Sequence, residues 1–376
     1  MPKTLDVELI EAAATTGHRA GDVEQFATGT TSYLAPMPLP TDASPHSPYI
    51  SDLNDTYLDF GGGKPQVFSW QLTLGAPFTA ALLIALGIPL VAALILASSG
   101  YGLTEVLEFS SDLYFAARES AIWLFFVGLG TGLIVWFYNH KKYTTVIPTR
   151  FNRQRREVCF MPTDAETLVF VPWESLSAWV IEAQGATQYG VRRQYGMGMG
   201  FEQAGKRVSL EFVCGGLPLA IAHWEAVRAY MEYEVNDLKS IQDPMDLQGP
   251  NDPPHEGMHT FRNARTRLHR RIREKEVGWI HGFFWYLFHV MTLWTLPNLI
   301  VEWESRRIAK VGRKALPEAM RSWSESLPGE QWAKPSDDLK RLSNQVKEMK
   351  KQKPTRLITE IFAEVYQKEN SEKKRG

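Results

Sequence analysis

The chain has 376 residues, enough for two average domains, and its 41 basic and 42 acidic residues leave a net charge of −1. With 44% hydrophobic and 22% charged residues it cannot be disordered throughout. Its mean hydropathy of −0.23 would suit an ordinary soluble protein, but the charges are unevenly spread. None occurs between Lys64 and Glu105, between Glu119 and Lys141, or between Glu276 and Glu302. Two cysteines, Cys159 and Cys214, supply neither a disulfide framework nor a four-ligand zinc site.

The first 76 residues carry nine acids against three basic residues and open on no apolar stretch, unlike a signal peptide. Leu34 to Pro48, with five prolines, reads as an extended linker, so residues 1–76 are expected to form an acidic N-terminal region.

Phe78 to Ser98 is the first stretch suited to hydrocarbon, uncharged over 21 residues where a helix needs about 20. The second runs from Ala121 to Tyr138, with aromatic residues at both ends and Gly128, Gly130 and Gly132 offering a smooth strip for a neighbouring helix. Together they predict a transmembrane helical hairpin over 77–140. The loop between them has Glu105, Glu108, Asp112 and Glu119 against Arg118 alone. Lys141, Lys142, Arg150, Arg153, Arg155 and Arg156 follow the second helix with no acid before Glu157. Basic flanks stay in the cytoplasm, so the loop is expected outside and the N-terminus and later chain inside. The same cluster is a candidate contact for anionic lipid headgroups as well as a topology signal.

From Ile147 to Val235 the pattern changes. Arg156–Met161 and Arg207–Val213 alternate, Thr167–Val171 is a buried type of run, and Leu219, Ala222, Ala226, Val227 and Tyr230 make a helical stripe after Pro218. A small antiparallel β-roll capped by a C-terminal helix is expected, pleckstrin-homology-like in outline, giving a membrane α+β chain. Trp173 in Pro172-Trp173-Glu174 should pack under the sheet, with Glu174 accepting from an arginine of the Arg-Phe-Asn-Arg segment that includes Asn152. Tyr195–Gly200 fails the phosphate-loop spacing and reads as a hairpin tip whose methionines are free to touch a partner or a membrane.

Residues 236–277 are expected to be a linker and a basic helix. The run Phe261–Glu276, with Arg270, Arg271 and Arg273, could bind nucleic acid, but it abuts Gly278–Val301, an aromatic apolar segment, and so favours the membrane surface. Basic flanks on both sides of 278–301 favour an in-plane or re-entrant segment, bent at Pro297-Asn298, over a single third span. His281 and His289 share a helical face without a carboxylate and are read as packing or interfacial residues. Residues 302–376 are expected to be a basic helical region ending in two solvated helices that fray from about Asn370.

The phrases at 146–160 and 171–180, holding Arg-Phe-Asn-Arg and Pro-Trp-Glu, resemble an uncharacterised family of proteobacterial membrane proteins. The order of hairpin then small β domain is similar to bacterial membrane proteins with pleckstrin-homology-like domains. This resemblance implies the inner membrane of Gram-negative bacteria and an immunity or accessory role beside type VI secretion effectors, with a protein partner. It transfers no catalytic residue, metal or cofactor. No G-x-S-x-G, H-E-x-x-H or paired C-x-x-C is present. The rival expectations are a membrane-associated enzyme acting on lipid or glycan, and a membrane scaffold.

Overall fold

The computed structural model describes residues 7–9, 17–61, 65–145, 147–161, 168–187, 190–203, 206–241, 247–249 and 251–373. The chain divides into two compact units. One comprises Met1–Gly62, Ile147–Pro244 and Leu316–Gly376, and the other Gly63–Val146 and Met245–Ala315.

The first unit is built on two sheets. Strands β1 (Val7–Leu9), β2 (Val23–Phe26), β3 (Gly29–Ala35), β4 (Ile50–Leu53) and β5 (Tyr57–Phe60) precede the apolar helices. After them come β6 (Thr149–Asn152), β7 (Glu157–Phe160), β8 (Leu168–Pro172), β9 (Ser177–Thr187), β10 (Gly190–Gln203) and β11 (Lys206–Cys214). The six-stranded sheet runs β1-β8-β7-β6-β5-β4 and the five-stranded one β11-β10-β9-β3-β2, all antiparallel except β1 with β8.

Strands therefore come first, and the expected order of hairpin then self-contained roll is corrected. Tyr57–Phe60 pairs with Thr149–Asn152, and Gly29–Ala35 pairs with β9, so 147–235 alone leaves both sheets open. The expected linker also changes its meaning. Leu34, Ala35 and Leu39 are fully buried, because apolar residues between the prolines face the core.

One core joins the sheets, the helix Leu217–Met231 and the two C-terminal helices Asp337–Gln352 and Ile358–Lys373. The last two were expected to be solvated and are not. Leu339, Leu342, Val346, Ile361, Phe362 and Val365 are all buried, at about 1.5–3 kcal/mol for each large side chain. The last helix runs on to Lys373, past the expected fraying point. The domain boundary accordingly falls after Ala315 rather than at 302.

Tyr195–Gly200 lies inside β10, not at a tip. Side chains alternate across a strand, so Met197 and Met199 point into the core together, at 1% and 0% exposure. On the other face the Trp179 indole lies where a Cβ on Gly198 would sit, with its ring atoms 2.3–2.5 Å from that position. Neither methionine is open to a partner.

The second unit holds two helices long and apolar enough to cross a membrane, Val67–Ser98 and Leu103–Lys141, which mark the chain as membrane-associated. The first contains two prolines. Proline lacks an N–H and clashes with the carbonyl four residues back. The π turns Gln71–Gly75 and Leu83–Gly87, just before Pro77 and Pro89, widen the backbone to accommodate them. The helices run antiparallel, with Gly128 against Pro77 and Gly132 against Thr73. Three more helices follow, Met258–Arg273, Trp279–Met291 and Leu296–Ala315. The last two are bent by 59° at Thr292–Thr295, where Leu293 and Trp294 take positive φ, so the bend precedes the expected Pro297-Asn298.

Candidate functional site

The arginines after the second apolar helix belong to the first unit, and their geometry follows from one tight turn. Asn152 ends β6, and its Oδ1 accepts from the backbone N–H of Gln154 and of Arg155, 3.1 Å each. That Asx turn reverses the chain into β7, with Arg156 at a φ of +52.

Each arginine then finds a fixed partner. Arg150 reaches both oxygens of Asp59, Nε to Oδ1 at 2.6 Å and Nη2 to Oδ2 at 2.7 Å, and lies 3.6 Å over the Tyr57 ring. Arg153 is held between the rings of Tyr230 and Tyr233 and donates to Asp55 and Asn236. Arg155 donates to the Trp323 carbonyl, as does the Asn152 amide. Arg156 bridges Glu232 and Glu174, while the Trp173 indole N–H also donates to Glu232.

Arg150, Arg153 and Arg156 are 3%, 3% and 6% exposed, so the folded chain does not offer them to lipid headgroups. Each of these buried guanidinium groups is met at its fork by a carboxylate or a carbonyl. The headgroup reading of these three is overturned, and half-buried Arg155 is likewise taken up by the Trp323 carbonyl. Lys141 is exposed, whereas the side chain of Lys142 lies outside the described residues. Arg270, Arg271 and Arg273 belong to the helix Met258–Arg273, with Arg270 3.9 Å from Glu274 and Arg271 3.1 Å from Glu276.

Pro172 closes β8, Trp173 is fully buried in the 3-10 turn that follows, and Glu174 accepts from Arg156 and from the Ser336 backbone N–H. Glu174 does accept from an arginine, but from Arg156, three residues past the Arg-Phe-Asn-Arg segment expected to supply it. The partners Asp55, Asp59 and Glu232 were not legible in the sequence, although the acidic excess before the first apolar helix was a signal for the two aspartates.

A second buried ion cluster lies around Glu225, with no motif in the sequence to mark it. Glu225 accepts from both the N–H and the hydroxyl of Thr41 and pairs with Arg228, which also holds Glu234. Burial works against the Arg228 charge, yet the two carboxylates hold its pKa above the usual value. Beside it is a cavity of about 670 Å³, lined by Asp42, Glu225 and Arg228 on one wall and by Lys347, Lys350 and Ile358 on the other.

His223 Nδ1 donates to the His46 carbonyl at 2.9 Å, and burial lowers the pKa of the ring. Cys159 and Cys214 are free thiols in separate hydrophobic clusters, pushed up by burial to about 12 and about 11. Among the described residues no group of three or more His, Cys, Asp or Glu side chains is placed to hold a metal ion.

The arrangement is one of internal ion pairing. Its charges are neutralised inside the unit, so the arginine cluster is suited to holding β5, β6, β7 and the C-terminal chain together. Comparison of the chain with family models, curated proteins and solved structures found no match.

Proposed function

We propose that the chain is a non-catalytic accessory protein of the bacterial inner membrane, of the immunity type that the sequence resemblance implies, which binds a protein partner at the bilayer. The observation that carries this reading is that the two apolar helices interrupt a folded unit. Sheet pairing of β5 with β6 joins the residues just before and just after them. Any partner docked on that unit is thereby brought to the membrane.

The helices then form a transmembrane hairpin, with the acidic start of the second helix, Glu105 to Glu119, outside and the two-sheet unit in the cytoplasm. The charge rule acts while the chain inserts, before Asp59 and Glu232 reach the arginines, so their burial in the finished fold does not weaken it. For the partner, β2 offers the edge of the five-stranded sheet, with Val23 and Phe26 exposed. An open edge of this kind accepts a strand from another chain.

A photoreactive residue at Phe26 of the full chain, activated in living cells, tests the proposal. One protein adduct of reproducible mass supports it, and lipid adducts alone would sink it. The second reading, an enzyme acting on lipid or glycan, draws on the cavity between Arg228 and Lys347. Turnover of membrane lipid or glycan by the purified chain, lost on filling the cavity with Ala229→Phe, would replace the binding reading with that one.

A further inference from the structure

The helices Met258–Arg273, Trp279–Met291 and Leu296–Ala315 touch the first apolar helix at three places whose order is informative. Glu256, just before them, accepts from the backbone N–H of Val67. At the far end of the aromatic helix, the Thr79 hydroxyl donates to the Met291 carbonyl at 2.9 Å, and a Cβ on Gly75 would come 2.8 Å from Thr292 Cα. Further on, the Trp70 indole donates to Glu304 at 2.8 Å. The contacts thus go from Val67 to Thr79 and back to Trp70. At 1.5 Å per residue, that is a path about 18 Å along the first helix and about 13 Å back.

Chain connectivity agrees. Leu238 and Ile241 lie in the core of the sheet unit before this segment, and Leu316 and Met320 pack with Leu168 and Phe170 after it. One folded unit cannot occupy both sides of a bilayer, so the chain between crosses an even number of times. Two crossings fail on length, since the 13-residue helix Trp279–Met291 reaches only about 20 Å against roughly 30 Å of hydrocarbon. None is left, and the segment turns back.

Its surface divides accordingly. Phe261 packs on Trp285 and Trp294, and Ile272 covers Gly282, which joins the basic helix to the aromatic one. The opposite arc of the aromatic helix leaves Trp279, Ile280, Phe283, Phe284 and Phe288 exposed. On the basic helix Arg262, Arg265 and Arg273 are exposed, share one stripe at helical spacing, and form no ion pair among the described residues.

We infer that these three helices are a re-entrant wedge that enters and leaves the same leaflet and holds anionic phospholipid headgroups on Arg262, Arg265 and Arg273. The inference rests on the membrane reading above and deepens it. Exposed aromatic rings suit the depth just below the headgroups, and each arginine near an anionic surface adds attraction that salt weakens.

Two measurements on the full chain test it. An impermeant maleimide is applied to right-side-out and inside-out vesicles carrying Ser111→Cys, Lys275→Cys or Glu325→Cys. Labelling of Lys275→Cys and Glu325→Cys from one face and Ser111→Cys from the other is expected. Lys275→Cys labelling from the Ser111 side overturns the wedge, while labelling of all three from one face overturns the spanning hairpin itself. Next, the lipid retained after limited detergent extraction is weighed by mass spectrometry. Phosphatidylglycerol should be enriched over phosphatidylethanolamine relative to the membrane. Substituting Arg262, Arg265 and Arg273 with Gln should cut that enrichment about tenfold or more with the labelling pattern unchanged. Unchanged enrichment, or nuclease-sensitive nucleic acid in place of lipid, refutes the headgroup assignment.

Discussion

Asp59 and Arg150 meet as a two-pronged ion pair across β5 and β6, although the chain between them leaves to form both apolar helices and then returns. Both side chains are almost wholly buried, and burial pushes the Asp59 pKa up even though the guanidinium opposes this. The pair therefore records where the two parts of the interrupted unit are sewn together.

Removing one partner leaves a buried charge uncompensated. Arg150→Met is expected to cost about 3–5 kcal/mol, whereas Arg150→Met with Asp59→Leu should recover much of that loss. Chemical unfolding of the detergent-solubilised chain, followed by tryptophan fluorescence, checks both. A single variant as stable as the parent would mean that the two sheet segments are held by strand pairing alone.

His223 contributes a pH dependence of its own. Its Nδ1 faces the His46 carbonyl, and the rings of His46, Tyr49 and Phe212 surround it. Burial lowers its pKa, so the folded unit prefers the neutral ring. The associated stability is fully present above the unfolded value of about 6.5 and is lost as pH falls below it through the folded value. The midpoint of unfolding should drop on acidification through that window, and His223→Gln should flatten the drop. An equal drop in the variant would show that His223 does not carry it.

Neither thiol should react while the chain is folded. Cys159 is fully buried and pushed up to about 12, and Cys214 to about 11, so neither forms thiolate near neutral pH. Maleimide should modify no residue of the native chain and two after unfolding. Native modification at Cys214, the more exposed of the two, would show that the β11 edge opens.

The sequence spoke clearly wherever a pattern was local. Uncharged runs marked the apolar helices, alternation marked β7 and β11, and Pro218 opened the helix that caps the core. That Glu174 would meet a nearby arginine was also within reach, though Arg156 and not the Arg-Phe-Asn-Arg segment supplies it. What stayed hidden was non-local. Nothing around Tyr57–Phe60 says that its ladder partner is Thr149–Asn152, because register is set by the two-sheet core. The C-terminal stripes of Leu342, Val346 and Ile361 looked weak for a related reason. Their neighbours are strongly charged, and only the facing strands reveal that the apolar face is covered.

The glycines of the second apolar helix give the last test, because they differ in what faces them. A Cβ on Gly128 would lie 2.3 Å from Pro77 Cβ and 2.4 Å from its Cγ, and a proline ring cannot rotate aside. Gly130 has nothing within 4 Å. Two residues apart on a helix, the two point to different sides, so only one of them supports the close approach of the helices. Gly128→Ala should therefore cost about 1–3 kcal/mol through overpacking. Gly130→Ala should be neutral or stabilising by up to about 1 kcal/mol, since alanine favours a helix over glycine. Thermal unfolding of the two variants in the same detergent separates the effects. Equal losses would mean that helix propensity, and not the contact with Pro77, governs this helical pair.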